Sequence, residues 1–439
     1  MKRVAFYTLG CKVNQYESEA MEELFLQAGY QLARADEPVD VFVVNTCTVT
    51  HVSDAKCRQA IRRVKRQNPL AVIAVVGCYV QVAAKRVRAM EGVDILIGTK
   101  GRGHIVEDVE AFLAEGKPIV RIPDLKEEVA FDSLSISREL STTRAAVKIQ
   151  EGCDMYCSYC IIPYARGPIA SRSQDEILEE VKRLLAHGIQ EIVLTGIHVA
   201  SYGKEAGRGE DLVDLVEALS VLPGLARIRL SSIEPRWVNE EKLIRMRDCG
   251  KLCDHFHLSL QSGSDAVLRA MNRKYDQALY AEKLATIRSI FPSAGLTTDV
   301  IVGFPGERES DFQATLDFCQ AMAFSKIHIF PYSPRQGTPA ALFQGQVDPA
   351  VKKERAQRLA QLERKLRHDF MDGSVGQPVD VLFEEGADPT LMYGYTSNYL
   401  RVQAPRDENR VNRIMSGRIT GRVGEILTFQ ADSEGGNHV

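Results

Sequence analysis

Apolar runs of strand length alternate with helically spaced stretches through most of this 439-residue chain, and that alternation leaves few folds open to it. Strand candidates at 4–9, 39–44, 70–76 and 94–97 are each followed by helical spacing, at 14–27, 53–67, from about 80 onward, and around 104–115. Strands alternating with helices predict a parallel, doubly wound sheet. Six further strand candidates follow at 145–150, 191–195, 227–232, 255–260, 297–302 and 326–330, again separated by helical stretches. Such a repeat predicts a partial or complete parallel β/α barrel, with chemistry on the loops at the strand C-termini. A long charged helix over 351–372 ends at Gly373. Beyond it come short strands at 379–383, 391–396, 399–403 and 424–429, divided by turn clusters. These predict a small antiparallel β-barrel. The expected fold class is therefore α/β in three domains, 1–118, 139–370 and 373–436, with a Ser- and Thr-rich linker at 130–143.

Cysteines punctuate this pattern. Cys153, Cys157 and Cys160 are spaced CxxxCxxC directly after the first barrel strand candidate. Three thiolates so placed can bind three corners of an iron–sulfur cube and leave the fourth iron open to a substrate. A structural zinc site prefers four ligands in paired spacings, and no second pair matches here. A disulfide framework does not suit a chain of this size without a secretory signal. Separately, Cys11, Cys47 and Cys78 each follow one of the first three strands. Loops at the carboxyl ends of adjacent parallel strands converge on one crevice, so these three distant thiols could share a second cluster. The alternative is three buried thiols behaving as small hydrophobes. Cys57, Cys249, Cys253 and Cys319 fit neither set and read as structural.

Composition narrows the class. Hydrophobic content of 45% and a net charge of −3 are ordinary for a globular protein and argue against a strongly basic nucleic-acid binder. The first residues contain no signal-peptide core, and no apolar run is long enough to span a bilayer. The expectation is a cytoplasmic enzyme with no membrane partner. No set of His, Asp and Ser resembles a hydrolytic triad, and no nucleotide-binding P-loop is present.

The run Gln150-Glu151-Gly152-Cys153-Asp154-Met155-Tyr156-Cys157-Ser158-Tyr159-Cys160 resembles the signature of radical S-adenosylmethionine (SAM) enzymes. The resemblance implies that the open iron chelates the amino and carboxylate groups of SAM and that Tyr159 packs near the adenine. It further implies that Thr195-Gly196 orients the amino group, and that Gly303, in the stretch from Asp299 to Glu307, lies beside the adenine. Glu234, after the third barrel strand, is a candidate contact for the ribose or carboxylate. His198, Gln261, Ser262 and Arg273 sit where substrate or cofactor contacts are plausible, with structural roles as the alternative.

Thr8-Leu9-Gly10-Cys11-Lys12-Val13-Asn14, Asn45-Thr46-Cys47 and Gly77-Cys78 resemble the N-terminal domain of the methylthiotransferase family. His257-Leu258-Ser259-Leu260-Gln261-Ser262-Gly263-Ser264 and Met271-Asn272-Arg273-Lys274-Tyr275 match the same family. In that family the cysteines matching Cys11, Cys47 and Cys78 hold a second four-iron cluster that supplies sulfur. The cluster on Cys153, Cys157 and Cys160 cleaves SAM reductively, and a second SAM gives the methyl group. Two 4Fe–4S clusters and SAM are thus the expected cofactors. The C-terminal segment is similar to the TRAM domain, an RNA-binding barrel. There Arg401, Arg406, Arg410, Arg413, Arg418 and Arg422 interleave with Tyr393, Tyr395 and Tyr399, which could stack on unpaired bases. The implied partners are the anticodon stem-loop of tRNA, an electron donor such as flavodoxin or ferredoxin, and a sulfur source. Thr195-Gly196-Ile197-His198, Ser201-Tyr202-Gly203 and the run from Cys160 to Gly167 look most like the branch acting on N6-threonylcarbamoyladenosine. An isopentenyladenosine enzyme more often shows Gln-Asn in place of Gly-Ile-His, and another branch modifies a ribosomal-protein aspartate. The alternative of a different class is a non-catalytic RNA-binding iron–sulfur or zinc protein.

Overall fold

A computed structural model describes residues 1–48, 51–126, 130–137, 143–205 and 209–432, without the side chains of 51–53. Two expected domain limits, residues 139 and 436, and residues 138–142 of the expected linker lie outside the described residues.

The N-terminal third is one six-stranded parallel sheet in the order Gln31–Leu32, Arg3–Thr8, Val41–Thr46, Val72–Gly77, Ile95–Ile97 and Ile119–Arg121. Its two central strands are buried throughout, as a sheet covered on both faces requires. Side chains alternate between those faces. Val41 and Val43 pack against helices Lys12–Gln27 and Ile105–Glu115, while Phe42 and Val44 pack against helices His51–Gln67 and Cys78–Arg88. The sheet is doubly wound. The edge strands Gln31–Leu32 and Ile119–Arg121 went unanticipated, because two or three residues show no period.

Next comes an open β/α barrel of six parallel strands: Arg144–Glu151, Glu191–Gly196, Arg227–Leu230, His255–His257, Gly295–Val302 and Lys326–Pro331. They form two sheets joined by single bridges, Ile228 to Leu252 and Ile233 to Leu258. Among the described residues no pairing closes the sixth strand onto the first. Tyr16 and Ala20 of the first helix enter the same apolar core as Ala145, Val147 and Ile149, so the N-terminal sheet is docked on the barrel. The phenol of Tyr16 completes that joint, donating 2.7 Å to the carbonyl of Leu134.

After the long helix Pro349–Asp372 the chain forms a closed five-stranded barrel from Pro378–Glu384, Leu391–Thr396, Arg401–Pro405, Ile414–Val423 and Ile426–Ala431. One pairing departs from the expected antiparallel pattern, since Arg401–Pro405 and Ile426–Ala431 run parallel. Strand Ile414–Val423 was missed because its Gly and Arg residues hide the apolar alternation.

Two of the tyrosines expected to meet RNA serve another purpose. Tyr395 and Tyr399 stack on each other at 4.9 Å and face the central barrel. Arg144 lies over both rings and Arg229 lies 4.5 Å from the ring centre of Tyr399. Arg227 and Arg229 donate to the carbonyls of Asp380 (2.6 Å) and Ser397 (2.9 Å). These residues fasten the C-terminal barrel to the body. Only Tyr393 of the three, with Arg401 4.9 Å from its ring centre, is left outside that stack. No helix among the described residues is long and apolar enough to cross a membrane.

Candidate active site

Cys153, Cys157 and Cys160 lie on the loop leaving the first barrel strand, at the carboxyl end of the barrel where such folds place chemistry. The local chain is built to expose this loop in one shape. Gly152 has φ +75°, and a Cβ there would stand 1.7 Å from the carbonyl oxygen of Pro168, so only glycine fits. The Gln150 amide donates to the carbonyls of Glu151 and Gly152, at 2.6 and 2.8 Å, and sets the turn into Cys153. The segment 270–273 clamps the far side. Ser158 donates from its backbone N–H to Met271 at 3.0 Å and from its hydroxyl to Ala270 at 2.8 Å. Asn272 donates 3.0 Å to the carbonyl of Tyr156, which sits at φ +44°. Arg273 then reaches the cysteines themselves, its Nη1 donating to Cys157 Sγ at 3.3 Å.

Burial keeps two thiols of this loop protonated near pH 7 in the absence of a metal. Burial pushes the Cys153 thiol up to about 11 and the Cys160 thiol to about 12, with neighbouring cysteines adding to both. Clustered thiols that resist ionisation in an apolar setting become anions when a metal core binds them. Among the described residues the ring nitrogens of His198, the hydroxyl of Ser231 and the phenol of Tyr332 are buried without a hydrogen-bond partner. They follow the second, third and sixth strands. Buried polar atoms of this kind call for a partner, and a ligand as polar as SAM offers several. One ring nitrogen of His198, a carboxylate oxygen of Asp154 and Cys153 Sγ lie within 4.8 Å of one another. Burial lowers His198 to about 4, so its imidazole is neutral near pH 7.

The remaining residues expected around SAM occupy varied settings. Tyr159 packs with Val267, Met271, Phe304 and Tyr332 in a small apolar cluster beside the loop. Thr195 and Gly196 end the second strand, where a Cβ on Gly196 would crowd the Gln150 carbonyl at 2.9 Å. Glu234 accepts from the N–H and Nε of Arg236, at 3.1 and 3.0 Å, and so caps its own turn. Gly303, at φ +72°, gives room to the stem of Lys352: a Cβ would lie 2.3 Å from its Cγ. Ser262 faces inward, donating or accepting with Thr315 at 3.4 Å and accepting from the N–H of Ser264 at 3.2 Å, which makes it structural.

The second set of thiols gathers at one edge of the N-terminal sheet. Thr8 pairs with Asn45 and Thr46 with Gly77, so Cys11, Cys47 and Cys78 leave three adjacent strands at one end. Asn14 ties the first two loops together, its amide donating to the carbonyls of Leu9 (3.1 Å) and Thr46 (3.0 Å). Its oxygen faces Cys11 Sγ at 3.4 Å. Cys11 is exposed and caps helix Lys12–Gln27, Cys78 is buried and opens helix Cys78–Arg88, and Cys47 is buried. Helix N-termini favour thiolates. Burial nonetheless pushes Cys78 up to about 11, with Glu17, Cys47 and Cys11 adding to it.

Sequence reasoning missed the charged joint between the two sets. Glu17, Lys100, Arg102, Lys148, Glu151 and Arg166 are buried together where sheet and barrel meet. Arg166 donates from Nε to Cys78 Sγ at 3.1 Å, from Nη1 to Glu151 at 2.9 Å and from Nη2 to Asn14 at 3.1 Å. The available signal was its place in the run after Cys160, read only for substrate branch. In the C-terminal barrel, Arg406, Arg410 and Arg422 are held by Glu408, Asp407 and Asp372. Arg401, Arg413 and Arg418 have no carboxylate partner among the described residues.

Comparison with known proteins matches this geometry. Residues 147–319 match the radical SAM superfamily, and residues 3–98 match the uncharacterized protein family UPF0004. A protein of Bacillus subtilis (strain 168) named threonylcarbamoyladenosine tRNA methylthiotransferase MtaB is 39% identical over 95% of this chain and 94% of its own length. One of Acetivibrio thermocellus named tRNA-2-methylthio-N(6)-dimethylallyladenosine synthase is 35% identical over 94% of this chain and 87% of its own. Among solved structures, the radical SAM methyltransferase TsrM of Kitasatospora setae superposes with a TM-score of 0.59, covering 78% of this chain and 77% of its own. At 14% identity that likeness concerns the fold alone. Barrel and cysteine loop thus define a radical SAM enzyme. Within that class, the chain belongs to the methylthiotransferase family. It is a transferase that uses SAM and two 4Fe–4S clusters.

Proposed function

We propose that this enzyme methylthiolates C2 of N6-threonylcarbamoyladenosine at position 37 of tRNA, giving the 2-methylthio derivative. The observation carrying the substrate is the 39% identity over nearly the whole chain to a protein named for it. His198 supports it, because the residue that sets this chain apart from the Gln-Asn pattern stands buried and unpartnered at the second strand's mouth. Cys153, Cys157 and Cys160 hold the cluster that binds SAM, and Cys11, Cys47 and Cys78 hold the second cluster. When bound, these groups supply a radical able to take hydrogen from an unreactive carbon, and the sulfur and methyl that replace it. The protein's part is to position and to exclude. Gly152, Asn272 and Ser158 fix the cysteine loop, Arg273 binds a cysteine sulfur, and Tyr159 walls the site on its apolar side. Thr195, Gly196, Glu234 and Gly303 frame the strand ends around SAM.

Tyr156 and Tyr164 stand exposed at the mouth with ring centres 5.9 Å apart, an aromatic surface suited to an unpaired base. Arg401, Arg413 and Arg418, which have no carboxylate partner among the described residues, suit the backbone of the anticodon stem-loop. The domains assigned to this work are 1–118 for the second cluster, 139–370 for SAM and 373–436 for RNA. A one-electron donor such as flavodoxin or ferredoxin and a sulfur source complete the cycle. Nucleoside mass spectrometry on tRNA from cells lacking the gene tests the substrate. The methylthio derivative should vanish while N6-threonylcarbamoyladenosine accumulates. Loss of the isopentenyl product instead would reassign the substrate.

A further inference from the structure

The charged joint between sheet and barrel carries more than an ordinary interface needs. Arg102 and Lys148 pair with Glu17, the latter at 2.9 Å. Lys148, Lys100 and Arg166 pair with Glu151 at 3.1, 3.4 and 2.9 Å, and Arg102 also meets Asp132 at 3.3 Å. Arg166 Nη2 adds a 3.0 Å bond to Glu17. Four cations thus face three carboxylates, and six of these seven side chains are almost wholly shielded from water. A buried surplus charge is costly unless a counter-charge lies beside it. The group facing the surplus is Cys78 Sγ, 3.1 Å from Arg166 Nε. A dicationic four-iron core held by three thiolates carries one net negative charge, which balances the surplus.

We infer that Arg166 is a positioning and tuning residue of the cluster on Cys11, Cys47 and Cys78. It holds the sulfur of Cys78 by one N–H and anchors that sulfur to the first barrel strand through Glu151. The inference rests on the assignment of that cluster to those cysteines. Geometry separates it from a simple ion-pair role: Glu17 and Glu151 use the two terminal nitrogens, and the third donor is spent on sulfur. Hydrogen bonds and charge at cluster sulfurs raise the reduction potential, because they stabilise the added electron. Arg166 also ties the two cluster sites into one rigid unit, since it ends the short helix Ile162–Arg166 that follows Cys160. Arg273 repeats the device at Cys157.

The test uses the full chain with Cys153, Cys157 and Cys160 replaced by Ala, leaving a single cluster to observe. Iron content and an electron-paramagnetic-resonance redox titration are measured before and after Arg166→Gln and Arg166→Lys. Arg166→Gln should lower the midpoint potential by about 59 mV or more, a tenfold change in the one-electron equilibrium. Arg166→Lys, which keeps the charge but loses the fork, should fall between the two. If Arg166→Gln does not fold, Arg166→Lys decides. An iron-loaded variant with the parent's potential and spectrum overturns the inference. A parent that holds no iron overturns the cluster assignment instead, and the two failures are read separately.

Discussion

Single buried groups in this protein are held by what surrounds them, and His255 shows the consequence. Its ring lies 4.7 Å from that of Tyr399 and its Nε2 meets Thr297 at 3.1 Å. Burial first, then the charges of Arg229 and His257, depresses its pKa well below the ordinary value. The folded state therefore takes up a proton later than the unfolded chain does. Below the unfolded value of about 6.5 the unfolded state binds more protons, so stability is complete above that pH and is lost as pH falls. Urea midpoints of the full chain at pH 7.5 and 5.5 should show this loss, and His255→Gln should reduce it. An identical pH dependence in the variant would remove His255 as a cause. Isolated residues of this kind were hard to read in the sequence. His198 stood out beside a motif, whereas His255 is one of several histidines until its burial is known.

Elements matter here chiefly through their joints. The turn at Ser397 and Asn398 inserts Tyr399 between Arg144 and Arg229, and a Cβ on Gly295 would collide with Asn398 at 2.2 Å. An aromatic pair contributes about 0.5–1.5 kcal/mol and each cation–π contact about 0.5–2 kcal/mol. Tyr399→Ala should thus destabilise the docked C-terminal barrel by about 2–3 kcal/mol. Limited proteolysis should then cut between Asp372 and Pro378 faster than in the parent. An unchanged cleavage rate would mean that the arginine-to-carbonyl bonds suffice. The same turn explains a misreading: tyrosines interleaved with arginines are expected on RNA and on a domain interface alike. Only the three-dimensional neighbours, here Arg144 and Arg229 from the other barrel, separate the cases. The central strands Val41–Thr46 and Val72–Gly77 were legible because burial on two faces writes continuous apolar runs, whereas the short edge strands were not. Ile414–Val423 was not, since a barrel strand with Gly417, Arg418, Gly421 and Arg422 carries no such run.

Across the whole molecule, two cysteine sets on two sheets are held together by one buried network. The proposed ligands Cys153, Cys157 and Cys160 stand out in the sequence because they are neighbours on one loop. That Cys11, Cys47 and Cys78 follow adjacent strands at one end of a sheet was legible only through the rule that parallel strands bring their ends together. Glu17, Glu151 and Arg166 were not, because their meaning arises from docking one sheet on the other. The division of labour between the two sets is tested most directly by comparing Cys47→Ala with Cys157→Ala. Each protein is reconstituted anaerobically and given SAM, a reductant and tRNA bearing N6-threonylcarbamoyladenosine, with 5′-deoxyadenosine and the methylthio nucleoside both quantified. Cys47→Ala should keep SAM cleavage and form no methylthio product, while Cys157→Ala should lose both and retain the iron of the N-terminal site. Methylthio product from Cys47→Ala, or deoxyadenosine from Cys157→Ala, would contradict the assignment of one cluster to each set.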